Sequence, residues 1–164
     1  PSLKRNISKA QKIVSVSETN DIKAFYTLFK MTFNRQNKKV PYTLNTLSKI
    51  DAACKNKNSK KIILATDEQG NIHSGIYLVW DRKYVYYLMG GSNPKFRNSQ
   101  ALSLLMWHAI QFASKQNKSF DFEGSMIEPV ERFFRSFGAS PTSYFEIHKS
   151  NSILLKIYQF LTSK

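Results

Sequence analysis

The stretch Phe120-Asp121-Phe122-Glu123-Gly124 threads two carboxylates between two phenylalanines. In an extended strand the phenylalanines point one way and the acids the other. A carboxylate in mid-sheet needs a polar cleft or a cationic partner. Asp121 and Glu123 are therefore candidate general bases, with Glu123 at the carboxyl end of its strand, where open α/β sheets place ligands. The same chain end also fits a plainer reading. Glu123 or Ser125 can cap the helix that follows, and Ser125 with Glu128 has capping-box spacing. Glu128 and Glu131 then suit the positive end of that helix. Tyr144 and the pair Tyr86 and Tyr87 are candidate proton donors, and equally half-buried aromatic residues.

A second group has the chemistry of anion binding. Gly90-Gly91-Ser92 separates a strand from a long helix, and Lys95 and Arg97 follow. Glycines let a backbone approach a ligand, and the helix start near Asn98 and Ser99 turns N–H groups outward, so the segment can cradle a pyrophosphate. It equally fits a simple strand-ending loop, and it is not a Walker-type P-loop. Other chemistries find little support. Cys54 is the only cysteine, which excludes an internal disulfide, and His73, His108 and His148 have no metal-binding spacing.

These groups need a frame. The sequence has 164 residues, 41% of them hydrophobic, which suits one folded domain of α+β class. The formal net charge of +14 predicts attraction to polyanions. The runs 34–39 and 55–61 read as flexible basic loops. No apolar run is long enough for a membrane span, and the basic start has no signal-peptide core. A start at Pro1 reads as a fragment or a processed chain. The lone cysteine fits a reducing, cytoplasmic setting.

Residues 1–12 read as a basic lead-in and 12–18 as a short strand. Ile22, Phe25, Leu28, Phe29 and Thr32 or Phe33 have helical spacing, with Thr19 or Asn20 as cap. A second helix follows Thr43. Residues 60–81 alternate as two strands around Gly70-Asn71, and 83–91 is a third strand. Residues 99–118 form the clearest helix, capped by Ser99 or Asn98, with Leu102, Leu105, Met106, Ala109 and Ala113 inward. Then come a strand at 119–123, a helix at 127–138 ending at Gly138, a strand at 143–150 and an amphipathic helix at 151–164 suited to packing or to a membrane surface. The strand–helix–strand step makes the strands at 83–91 and 119–123 parallel in a mixed sheet with helices on both faces.

The succession KYVYYLMGGS, RNSQALSLLMWHAIQFASKQ, FDFEGSMIEPVERFFRSFG and SYFEIHKS resembles the C-terminal half of proteins with the GNAT acyltransferase fold, the Fem-type aminoacyltransferases among them. KRNISKAQK resembles the basic segment that joins the two halves of such proteins. The resemblance implies one GNAT-like domain over 1–164, the C-terminal half of a two-domain protein whose N-terminal domain is absent here. It implies an acyl donor between the splayed strands 83–91 and 119–123. Backbone from Leu88 through Gly90 and Gly91 to Ser92 would polarise the acyl carbonyl, and Gly91 to Asn98 would meet donor phosphates. Glu123 or Asp121 would take the amine proton, and Tyr144 would protonate the leaving group. The chain departs from the acetyl-CoA pattern at FRNSQA, residues 96–101, where the usual glycines are missing. Transfer from aminoacyl-tRNA, which also suits the charge, therefore stands beside acyl-CoA. The acceptor implied is an amine such as a cell-wall precursor in peptidoglycan bridge formation. The alternative is a non-catalytic GNAT-like module that binds RNA or a partner domain.

Overall fold

A computed structural model describes residues 2–143 together with Ser152, Leu155 and Leu161. The expected strand at 143–150, Tyr144 and the expected terminal helix lie outside the described residues. The elements run α1 (Leu3–Gln11), β1 (Ser15–Thr19), α2 (Ile22–Arg35), α3 (Leu44–Asn56), β2 (Lys60–Thr66), β3 (Ile72–Trp80), β4 (Tyr84–Ser92), a 3-10 segment (Pro94–Ser99), α4 (Ala101–Lys115), β5 (Ser119–Asp121) and α5 (Glu128–Arg135).

The sheet order is β1-β2-β3-β4-β5. The first three pairings are antiparallel and β4–β5 is parallel. This is the mixed sheet expected from the strand–helix–strand step. Its alternating side chains feed two cores. One gathers Ile63, Ile76, Leu78 and Val85 under α1, α4 and α5, with Leu104, Leu105 and Met106 as its helical wall. The other gathers Ile62, Leu64, Tyr77 and Met89 under α2 and α3, walled by Phe25, Leu28 and Phe29. Helices thus cover both faces, because both parities of each inner strand are apolar.

Several local expectations need correction. The basic lead-in is helical: α1 packs Ala10 and Ile7 on the α4 side, with Lys4, Arg5 and Lys9 in solvent. Asp21, not Thr19 or Asn20, caps α2, accepting from the amides of Lys23 and Ala24. Thr43 caps α3 as expected. The α4 N-cap is Gln100 in left-handed backbone, and it makes no side-chain cap. The cap of α5 is Ile127, so Ser125 and Glu128 form no capping box; the Ser125 hydroxyl accepts from the Ile127 amide. Glu128 and Glu131 instead pair with Arg132 and Arg135 one turn along α5. Basic runs 34–39 and 55–61 are partly regular, since Arg35 ends α2, Lys55 lies in α3, and Lys60 and Lys61 open β2.

Candidate active site between the parted strands

Strands β4 and β5 stay paired only at Tyr84–Ser119, Val85–Phe120 and Tyr86–Asp121. Beyond Tyr86 no described strand pairs with that edge of β4, so the two strands part there. The cause lies in β5. Asp121 Oδ1 accepts from the Glu123 amide at 2.7 Å, and Glu123 and Gly124 take φ of 60° and 67°. The chain therefore turns out of the sheet two residues earlier than the alternation predicts, and Glu123 is not a strand residue. Phe122 is pulled instead onto Phe120, Phe134 and Phe137, the aromatic cluster beneath α5.

At the level of the parting, β4 carries a bulge. Pairing with β3 passes from Tyr77↔Met89 to Leu78↔Tyr87, leaving Leu88 without a register partner. A bulged residue releases its backbone groups from the ladder and re-aims them. Leu88 is also exposed.

The glycines have a packing reason. A Cβ on Gly91 would lie 2.4 Å from the Leu28 carbonyl carbon and 2.5 Å from the Phe29 nitrogen, so the α2 backbone rests directly on β4. A Cβ on Gly90 would lie 2.1 Å from the Tyr87 hydroxyl. Gly90 thus makes room for Tyr87, whose ring meets Phe134 edge-on on the other face. Burial pushes the Tyr87 phenol up to about 12.

Two residues expected to meet a ligand have their polar groups engaged internally. The Ser92 amide donates to Thr32 Oγ1 at 3.1 Å, and its hydroxyl shares a 2.7 Å bond with Ser74. Ser99 is buried; its hydroxyl donates to the Phe96 carbonyl and accepts from the Ala101 amide. Lys95, Arg97 and Asn98 are exposed on the 3-10 segment. That segment is held firmly. Asn93 caps it at the Lys95 amide, and Phe96 stacks flat on His73 at 4.2 Å. Thr32, His73 and Phe96 were not visible as site residues in the sequence. Thr32 lies on the apolar stripe of a helix, and only the fold brings it to Ser92.

Electrostatics single out Glu123. Glu123 is raised above the ordinary carboxylate range, first by partial burial and then by the charge of Asp121. A carboxyl so shifted is a better proton acceptor near neutrality than an ordinary one. Tyr86 is committed elsewhere: its hydroxyl donates to Asp81 Oδ2 at 2.9 Å. That bond leads the causes that push it up to about 12, with burial, Asp81, Asp121 and Glu123 following. Among the described residues the structure thus brings Asp121, Glu123, Leu88, Gly90 and Gly91 to the parting, and sets Lys95, Arg97 and Asn98 past the end of β4. A separate groove of about 420 Å³ between α1 and α4, lined by Leu3, Ile7 and Trp107, shares no residue with them.

The sequence model of a family described as "Acetyltransferase (GNAT) domain" matches residues 2–135. Comparison with curated proteins yields no match. Among solved structures, FemX superposes with a TM-score of 0.68 at 13% identity, over 96% of this chain and 52% of FemX. The chain therefore spans about half the length of that protein. A possible acetyltransferase from Clostridium difficile 630 gives 0.63 at 12% identity, over 86% of this chain and 99% of its own. Glucosamine-6-phosphate N-acetyltransferase from Arabidopsis thaliana gives 0.58 at 12% identity, over 85% of this chain and 99% of its own. At these identities the likeness is one of fold.

Proposed function

The chain belongs to the GNAT acetyltransferase family, and from that premise we propose that it moves an acyl group from an acyl-CoA thioester to an amine. The observation that carries the reading is the unpaired Leu88 in β4 beside the point where β5 leaves the sheet. The open edge of β4 beyond Tyr86 suits a donor arm containing amide groups, which can bond to it as a strand would. Backbone freed by the bulge at Leu88, with Met89 and Gly90 next to it, serves the acyl carbonyl as an oxyanion hole. Lys95, Arg97 and Asn98 take the donor phosphates beside the start of α4. Ser92 and Ser99 act indirectly, holding the turn through Thr32, Ser74 and Phe96.

The chemistry follows. Glu123, its basicity raised by desolvation and by Asp121, takes a proton from the acceptor amine. The nitrogen attacks the thioester carbonyl, and negative charge gathers on the oxygen facing Leu88. The C–S bond then breaks, the amide forms, and the thiolate leaves with a proton. We keep Tyr144 as the candidate donor of that proton. Asp121 holds the Glu123 amide and raises its carboxyl, so we give it a positioning role.

We favour the thioester over aminoacyl-tRNA because the family matched is an acetyltransferase family and the strand edge suits an amide-bearing arm. The missing glycines at 96–101 are not an obstacle on this reading: the 3-10 segment and the left-handed Gln100 shape that turn instead. The test is acetyl-CoA turnover with an amine panel. Glu123→Gln should lower kcat by about a hundredfold or more with acetyl-CoA affinity unchanged. A wild-type chain that binds acetyl-CoA but transfers to no amine would point to the non-catalytic module. One that binds none would remove the donor assignment.

A further inference from the structure

His73 takes no part in the chemistry above, yet it ties together the ground beneath Lys95 and Arg97. It is buried in β3. Pairing with β2 passes from Ala65↔Ser74 to Thr66↔Ile72, so His73 has no register partner there. A bulge of this kind re-aims a side chain. On the other side its carbonyl accepts from the Asn93 amide at 2.9 Å. Asn93 in turn caps the 3-10 segment at the Lys95 amide. The imidazole itself meets two partners. Its face lies flat on Phe96, with ring centroids 4.2 Å apart and planes 2° apart. Its Nε2 is 3.0 Å from Asp67 Oδ2.

Asp67 also accepts from the Gln69 and Asn71 amides and from the Asn71 side chain. A carboxylate held this way can only accept, so His73 Nε2 carries the proton that they share. Nδ1 is buried with no hydrogen-bond partner among the described residues. An unpaired buried polar atom costs stability. Stability alone would favour an apolar side chain here. What imidazole adds is two connections at once, an N–H to the β2–β3 turn and a flat face to Phe96.

Phe96 is the one aromatic residue of the segment Pro94–Ser99, and Lys95 and Arg97 flank it. Both cations are exposed, and neither forms an ion pair among the described residues. Long basic side chains grip an anion better when the backbone beneath them is already fixed. The stack fixes it between the two cations.

We infer that His73 is a positioning residue for the donor phosphates: through its stack on Phe96 it holds Lys95 and Arg97 where acyl-CoA meets them. The inference rests on the acyl-CoA reading.

The experiment compares acetyl-CoA with S-acetylpantetheine, which offers the same thioester and amide arm without phosphates. His73→Leu and Phe96→Leu should each raise KM for acetyl-CoA about tenfold or more, with kcat and the use of S-acetylpantetheine changed by no more than about twofold. The double variant should be no worse than the weaker single one, because both changes break one contact. His73→Phe keeps a flat ring against Phe96 and should recover most of the loss. Phe96 is only half-buried, so Phe96→Leu carries the test should His73→Leu fail to fold. An unmoved KM for acetyl-CoA overturns the inference. So does an equal loss with both thioesters, which marks a structural role only, or a His73→Phe as weak as His73→Leu. If the wild type transfers from neither thioester, calorimetric titration with CoA decides. Tighter binding by the wild type than by Phe96→Leu keeps the positioning role and sinks the transfer reading; equal binding, or none, sinks the positioning role.

Discussion

The Ser92 amide donates to Thr32 Oγ1, one residue after Gly91 rests on the backbone of α2. Strand and helix are joined there by contact and by hydrogen bond together. Backbone at 2.4 Å cannot yield as a side-chain tip can, so Gly91→Ala should cost about 3 kcal/mol. Thr32→Val, which keeps the shape and leaves an amide unpaired, should cost about 1–3 kcal/mol, and Thr32→Ser should recover most of it. Gly124→Ala is the control: φ is 67° but nothing lies within 4 Å, so only backbone strain of about 1 kcal/mol is expected. Urea denaturation of the four variants ranks them, and a Gly91→Ala no worse than Gly124→Ala would refute the close approach.

Glu123 and Asp121 make a prediction in pH. The carboxyl of Glu123 is raised by partial burial and then by Asp121. If Glu123 is the base, kcat/KM falls as pH drops through that raised value. Asp121→Asn removes the charge but keeps an oxygen for the Glu123 amide, so the acid limb should move to lower pH with the plateau largely preserved. A pH–rate profile of both proteins checks this. An unmoved limb would mean that another group sets it.

The sequence carried the sheet because its signals were local and repeated. Alternation in β2, β3 and β4 and the stripe Leu105, Met106, Ala109 and Ala113 each follow from which face is buried. It missed α1 because so few apolar residues stand in a lysine-rich segment, and their burial comes from α4. It extended β5 to residue 123 because Phe-Asp-Phe-Glu alternates perfectly; what ends the strand is an aspartate side chain bonding its own backbone two residues on, a competition that pattern does not reveal. At the site, the acids and glycines were legible as residue types. Their reasons were not. Gly91 answers to Leu28 and Ser92 to Thr32, contacts spanning some sixty positions.

Asp67 predicts how the fold responds to acid. It is lowered from 3.8 to about 2, chiefly by the Asn71 side chain, with the Asn71 amide and His73 adding and some burial opposing. A carboxyl depressed in the folded state contributes stability above its unfolded value and loses it as pH falls through the folded one. That contribution should therefore fade between about pH 4 and pH 2. Asp67→Ala should be less stable at neutral pH and show a flatter stability curve across that window. Parallel curves would show that Asp67 is not the linked group.

The last prediction concerns how α3 is held. Among its described residues Leu47 alone is a buried apolar anchor, so polar ties matter more than in α2 or α4. Asp51 meets Lys60 at 2.9 Å and accepts from the Tyr77 hydroxyl at 2.9 Å. Lys60 also donates to Asn20 at 3.1 Å. The side chains of Lys60 and Asp51 are only 6% and 15% exposed. Burial, reinforced by the bond to Asp51, pushes the Tyr77 phenol well above its usual range, so it stays a donor at every working pH. Tyr77→Phe leaves the ion pair intact and should cost about 1 kcal/mol. Lys60→Met strands Asp51 in a nearly closed site and should cost about 3 kcal/mol. If the pair acts through α3, hydrogen exchange of amides 44–56 should quicken in Lys60→Met far more than in α4. Exchange that quickens equally in both helices would show that the pair stabilises the domain as a whole and has no special hold on α3.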